Sequence, residues 1–199
     1  MIRNGGQESV LTLRKAVEED GAILAAIYAP YVLDTVISFE AVPPTAEEFG
    51  GRIANCLPNY PWLVAELDGQ AAGYAYAGPH SGRAAYNWSA DISVYLAPGH
   101  QRRGIGRSLY DALIALLRHQ GYHALFAGIT LPNEASVAIH SAIGMRRVGI
   151  YREVGFKFGQ WHDVMWMGMT ISPPAEPMSA PTPFSALTHL QDIVPHLTG

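Results

Sequence analysis

The sequence predicts one α/β (α+β) domain in which a central mixed, mostly antiparallel sheet is flanked by helices. Three observations predict it. The chain has 199 residues, 49% hydrophobic and 15% charged, enough for one full core. Asp68-Gly69 separates two apolar runs, Trp62 to Leu67 and Ala71 to Ala77, a strong hairpin signal that demands antiparallel pairing. Downstream, an apolar run at Ile92 to Leu96 gives way to Ile105, Leu109, Leu113, Leu116 and Leu117 at helical spacing, then to a second apolar run, Ala124 to Ile129.

Taken in order, Leu11-Thr12-Leu13 opens as a strand, and Glu18-Glu19-Asp20 places negative charge at the start of a helix running to about Val32. Thr35 to Glu40 reads as extended, and Pro43-Pro44 forces a turn. Thr45-Ala46-Glu47-Glu48 is a capping box that opens a short helix ending near Leu57-Pro58. After the hairpin, Pro98-Gly99 stops the Ile92 strand, and Gly121 closes the long helix as a C-cap. Pro132-Asn133 ends the next strand; Glu134 to Ile143 is a short helix closed by Gly144; Arg147 to Lys157 and His162 to Met169 form a final strand pair. Residues 1–10 are expected to be an N-terminal extension and 11–171 the domain. The segment 172–199, with Pro173, Pro174, Pro177, Pro181 and Pro183, is expected to be an irregular proline-rich tail with a short helix around Ala186 to Ile193.

The net charge of −4 offers no broad basic surface, which argues against nucleic acid or an anionic membrane as partner. The longest apolar stretch, Gly21 to Leu33, is interrupted by Pro30 and too short for a bilayer, and no secretory signal is visible, so a cytoplasmic location is expected. A single cysteine, Cys56, excludes an intrachain disulfide, and the eight histidines show no zinc spacing; no metal is expected.

The chemistry is carried by Gln101-Arg102-Arg103-Gly104-Ile105-Gly106-Arg107, where glycines and arginines fall at a helix N-terminus. Free backbone N–H groups and the positive end of the helix dipole favour an anion there, glycine lets the backbone come close, and the arginines add positive charge. The segment predicts a pyrophosphate cradle. It lacks the Gly-x-x-x-x-Gly-Lys-Ser/Thr of a nucleotide loop and the Gly-x-Gly-x-x-Gly of a dinucleotide fold.

The segment does match the Gln/Arg-x-x-Gly-x-Gly/Ala signature of the GCN5-related N-acetyltransferases (GNAT). More narrowly, the chain resembles the phosphinothricin N-acetyltransferases from about Leu13 to Met169, through Tyr60-Pro61-Trp62-Leu63-Val64-Ala65-Glu66, Tyr74-Ala75-Tyr76-Ala77-Gly78-Pro79, Arg83-Ala84-Ala85-Tyr86, Leu131-Pro132-Asn133 and Gly155-Phe156-Lys157-Phe158-Gly159-Gln160-Trp161-His162-Asp163-Val164. The resemblance implies a GNAT fold, acetyl-CoA as co-substrate, a homodimer, and as acceptor a small amino-acid-like amine such as phosphinothricin, methionine sulfoximine or methionine sulfone. Two other readings remain open: acetyl transfer to another amine (a protein N-terminus or polyamine), and a catalytically weak acetyl-CoA-binding module.

By the same resemblance, Val94, Tyr95 and Leu96 run beside the pantetheine arm, one N–H polarising the thioester oxygen. Arg102, Arg103, Gly104, Ile105, Gly106 and Arg107 enclose the pyrophosphate. Asn133 either meets the pantetheine or holds its own turn. Asp91 stands where the family has a glutamate base, and being one methylene shorter it acts through a water or not at all. His140 is the expected second catalytic group, in acid–base transfer or in protonating the departing thiolate. Phe39, Arg83, Tyr86 and Trp88 are the candidates for an acceptor pocket, Arg83 as a bidentate partner for a carboxylate or simply an exposed hairpin residue.

Overall fold

In a computed structural model, residues 2–4, 7–173 and 179–198 are described. Met1, Gly5 and Gly6 of the expected extension, and Pro174 and Pro177 of the expected tail, lie outside them. β1 (Ile2–Asn4) and β2 (Gln7–Ser9) pair only with each other. The main sheet holds β3 (Leu11–Lys15), β4 (Trp62–Leu67), β5 (Gln70–Pro79), β6 (Ser89–Leu96), β7 (Ala124–Thr130), β8 (Arg146–Lys157), β9 (Gln160–Thr170) and β10 (Leu197–Thr198). Their spatial order is β10-β3-β4-β5-β6-β7-β9-β8, and only β10–β3 and β6–β7 are parallel. The mixed, mostly antiparallel sheet is as the sequence predicts.

Local chemistry explains most boundaries. Asp68 (φ 53°) and Gly69 (φ 80°) both take positive φ, the type I′ geometry whose twist suits the β4–β5 hairpin. α1 (Gly21–Leu33) follows a 3-10 turn at Glu18–Asp20. α2 (Ala46–Cys56) starts on the expected capping box: Thr45 Oγ1 accepts from Glu48 N–H, and Glu48 accepts from Thr45 N–H. α3 (Ile105–Gln120) ends at Gly121 (φ 94°), whose N–H caps the Leu117 and Arg118 carbonyls. α4 (Glu134–Ala142) and the single turn α5 (Leu190–Ile193) complete the helices.

The helices divide between the two faces of the sheet. α1 and α2 cover one with Leu24, Tyr28, Phe49 and Ile53, against Val64 and Tyr74. α3 covers the other with Leu109, Leu113, Leu116 and Leu117, against Leu63, Ala75, Ile92 and Leu125.

Two expectations need correction. Thr35 to Glu40 is not a strand: Thr35 Oγ1 bonds the Tyr31 carbonyl and Ile37 N–H, Ser38 Oγ accepts from Glu40 N–H, and Lys157 Nζ takes the Val32 and Ser38 carbonyls. Side chains satisfy this backbone in place of a ladder. The tail is also more than irregular. Its described part carries a 3-10 turn at Phe184–Ala186, then α5, then β10 paired with β3, and it buries Phe184, Val194 and Leu197 in the α3 core.

Candidate active site

β6 and β7 lie side by side only at Ser89↔Ala124, Ala90↔Leu125 and Asp91↔Phe126. Beyond that point β6 continues paired to β5 and β7 continues paired to β9, so the two parallel strands part and leave a slot edged by backbone. Ala97 N–H donates to the Ala72 carbonyl, which sets the phase of the β5–β6 ladder. Odd-numbered β6 residues therefore bond toward β5, while Ile92, Val94 and Leu96 turn their N–H and C=O toward the slot. At Leu96 these groups are taken by the Tyr31 hydroxyl of α1, which donates to the carbonyl at 2.7 Å and accepts the N–H at 3.2 Å. Val94 keeps its backbone pair toward the slot. Tyr95 bonds β5 instead, and its ring stacks on Tyr74 with Tyr28 and Tyr31 edge-on.

The far end of β6 feeds the predicted cradle. Arg102 (φ 59°) and Gly104 (φ 81°) are left-handed, the turn that brings the chain onto α3. Ser108 N–H makes the first helical bond, to the Gly104 carbonyl. The N–H groups of Ile105, Gly106 and Arg107 are then the first-turn donors that a helix leaves without intrahelical partners. Gly106 is buried, and a Cβ there would meet Ile139 Cδ1 at 2.9 Å, with Leu96 and Val94 just beyond, so the helix start lies against the end of β6 and α4. Ile105 is a core residue and offers the cradle only backbone. Arg102 is exposed and Arg103 half-buried. Arg107 is engaged elsewhere: its guanidinium bonds the Asp111 carboxylate and the Ala142 carbonyl.

His140, on α4, is buried beside α3. Its Nδ1 lies 2.7 Å from the Ser136 carbonyl, which can only accept, so Nδ1 carries the proton; Nε2 then accepts from the Tyr110 hydroxyl at 2.9 Å. Burial pulls its pKa below the usual histidine value, against the opposing Ser136 bond. His140 is thus a neutral imidazole holding the Tyr110 phenol, and both line the slot with Ile92, Val94, Gly128 and Thr130. Asn133 is the N-cap of α4, its Oδ1 accepting from Ser136 N–H at 3.1 Å. Asp91 belongs to the opposite face: Ala90 and Ile92 point into the α3 core, so Asp91 between them projects toward the side of α1 and α2. The two expected catalytic residues approach the slot from opposite sides of the sheet.

At the foot of the slot stands a residue that sequence reasoning missed. His80, just after β5, places Nδ1 2.6 Å from Asp91 Oδ1. Its ring stacks on Phe126 (centroids 4.4 Å, 26°), with Trp166 edge-on at 5.7 Å and Tyr86 at 5.9 Å. Only the β5–β6 register reveals it: Gly78 pairs with Asp91, which puts residue 80 close by. Trp166 Nε1 is buried and has no hydrogen-bond partner among the described residues. On the same face, a cavity of about 520 Å3 walled by Tyr28, Phe49, Trp62, Tyr74 and Tyr76 reaches Gly78 and Pro79. Burial raises the Asp91 carboxyl above the ordinary value, opposed by the bond from His80.

The four expected acceptor residues are not gathered in one place. Tyr86 meets His80, and Arg83, exposed, begins the 3-10 turn Ala84–Tyr86 that carries it. Phe39 packs against Gly155 and His162 of the β8–β9 hairpin. Trp88 gives its indole N–H to the Ser179 carbonyl of the tail at 2.7 Å.

The family model of the acetyltransferase (GNAT) domain matches residues 13–166, which span the slot and the glycine-lined helix start. The chain belongs to the GNAT acetyltransferases. It is 38% identical over 165 residues to a phosphinothricin N-acetyltransferase of Streptomyces viridochromogenes, covering 83% of this chain and 90% of that one. It is 33% identical to an L-methionine sulfoximine/L-methionine sulfone acetyltransferase of Salmonella typhimurium, covering 84% and 98%. Among solved structures, the phosphinothricin acetyltransferase of Sinorhizobium meliloti in complex with acetyl-CoA superposes with a TM-score of 0.80 at 32% identity, covering 87% of this GNAT chain and 98% of that one. Among the described residues, no helix is long and apolar enough to cross a membrane and no cluster of three metal-ligating side chains occurs.

Proposed function

We propose that this GNAT chain transfers the acetyl group of acetyl-CoA to the α-amine of phosphinothricin, methionine sulfoximine or methionine sulfone. The observation that carries the reading is the slot with its two ends: first-turn helix donors at one and an aromatic, hydrogen-bonding foot at the other. The relatives acting on these substrates support it. Gly104, Gly106, the exposed Arg102 and the half-buried Arg103 would take the pyrophosphate. The Val94 backbone would pair the pantetheine, its N–H serving the thioester oxygen as the carbonyl charge develops. Tyr110 and His140 would meet the departing sulfur. Arg83 and Tyr86 would hold the amino-acid end of the acceptor.

Buried Trp62 Nε1, unpartnered among the described residues and on the wall of the 520 Å3 cavity, supports an oxygenated substrate, because an unpaired buried donor costs about 1–3 kcal/mol and a sulfone, sulfoximine or phosphinyl oxygen would satisfy it. Methionine has no such oxygen. At saturating acetyl-CoA, at least one of the three oxygenated analogues should show kcat/KM about 100-fold or more above methionine, polyamines and N-terminal peptides. Thiol release across that panel measures it. A peptide or polyamine ranking first would overturn the substrate assignment and leave acetyl transfer standing.

We also infer a homodimer through the β8–β9 hairpin. β8 is the sheet edge, and the hairpin exposes Val148, Tyr151, Val154, Phe156, Phe158 and Trp161, an apolar set that solitary surface residues do not explain. Sedimentation should give twice the 21.6 kDa chain mass, and Phe156→Glu with Trp161→Glu should return a folded monomer.

A further inference from the structure

We propose that His80, held by Asp91, is the group that takes the proton from the acceptor amine; the proposal rests on the acetyltransferase reading above. Three observations carry it. First, the Asp91 carboxylate can only accept from His80 Nδ1, at 2.6 Å, so the neutral ring carries its proton on Nδ1 and its lone pair on Nε2. Among the described residues Nε2 has no hydrogen-bond partner. Second, Asp91 and Phe126 are the last paired residues of β6 and β7, and His80 bonds one and stacks on the other. It therefore sits at the crotch where the slot opens. Third, the ring is fixed by three aromatic neighbours, Phe126, Trp166 and Tyr86, with about a quarter of the side chain exposed. A base needs that combination of fixed orientation and access.

The acceptor arrives as an ammonium; His80 Nε2 takes one proton and becomes an imidazolium stabilised by the Asp91 carboxylate. The freed amine nitrogen forms a bond to the thioester carbon, and the C–S bond breaks with its electron pair on sulfur. The second nitrogen proton ends on the thiolate, and His80 returns its own to solvent. Asp91 is then a positioning residue: it fixes the ring and selects the tautomer, without itself meeting the substrate. The titratable groups facing His80 are Asp91 from β6 and Tyr86 from the 3-10 turn; Phe126 of β7 and Trp166 of β9 carry no charge.

The test compares His80→Ala, His80→Gln and Asp91→Asn with the full-length enzyme, using its best acceptor from the panel. In His80→Ala, kcat/KM for the amine should fall about 10²–10⁴-fold with acetyl-CoA affinity retained, and the acid limb of its pH profile should vanish. Added imidazole should restore part of the rate to His80→Ala but none to the bulkier His80→Gln. Asp91→Asn should keep an acid limb and lose less kcat/KM than His80→Ala, because the imidazole is still present to take the proton. A His80→Ala enzyme with wild-type kcat/KM and an intact acid limb overturns the proposal. Loss of both in Asp91→Asn alone would return the role to the carboxylate. If the unsubstituted enzyme acetylates no amine, the functional reading fails and takes this proposal with it, an outcome distinct from an active enzyme indifferent to His80.

Discussion

Replacing His140 by alanine is expected to lower kcat by about 10²–10⁴-fold while leaving acetyl-CoA affinity nearly unchanged, the range for a positioned proton-transfer group. The expectation follows from the bonds His140 makes. Its Nδ1 proton is held by the Ser136 carbonyl, so Nε2 must accept, and what it accepts is the hydroxyl of fully buried Tyr110 at 2.9 Å. Alanine would leave that phenol without an acceptor inside the core, costing about 1–3 kcal/mol of stability as well. Tyr110→Phe separates the two effects. If the pair serves the departing sulfur together, Tyr110→Phe should approach the kinetic loss of His140→Ala, and the double variant should lose little more. A folded His140→Ala enzyme with wild-type kcat would remove the pair from the chemistry.

The same burial sets a pH dependence of stability. His140 folded has a pKa below its unfolded value of about 6.5, so between the two values the unfolded chain binds more protons. Stability contributed by the neutral ring is complete above about pH 6.5 and is lost as pH falls toward the folded pKa. Urea unfolding between pH 5 and 8 should show that decline in the unsubstituted protein and a shallower one in His140→Gln.

What was legible in the sequence is what local chemistry fixes. The Asp68-Gly69 turn, the Thr45 to Glu48 capping box, the Gly121 cap and the glycine-rich start of α3 each depend on residues within a turn of one another, and each stands where the pattern placed it. Thr35 to Glu40 misread because apolar residues and β-branched side chains resemble a strand, while the segment is settled by local Thr35 and Ser38 side-chain bonds together with Lys157, more than a hundred residues away. His80 was invisible for a related reason. Its partners Asp91, Phe126 and Trp166 come from three different strands, and a histidine after Gly78-Pro79 looks like a turn residue until their register is known. Among the cofactor candidates, helix-start backbone was inferable from composition, but Tyr31 occupying Leu96 and Asp111 drawing off Arg107 are consequences of packing.

The tail carries the second large effect. Phe184→Ala should destabilise the protein by about 3–5 kcal/mol and Leu197→Ala by about 2–5 kcal/mol, the usual cost of emptying a closed core site. Phe184 is 3% exposed and Leu197 2% exposed, both within the core under α3, although proline-rich composition marked the segment as irregular. Backbone binds it as well: β10 pairs in parallel with β3 at Leu197↔Leu13, and buried Gln120 ties α3 to both the Asn59 and Thr182 carbonyls through Nε2. Prolines suit this course, since they restrict an extended approach that needs few ladder bonds until β10 is reached. For a chain of this length, the Phe184→Ala loss corresponds to a melting temperature lower by roughly 6–20 °C. Differential scanning calorimetry measures it, with kcat at 25 °C as the control. Phe184 lies away from the slot, so the variant should turn over normally while folded. A loss below about 1 kcal/mol would mean that the tail melts separately and that the domain's cooperative unit ends near Ile171.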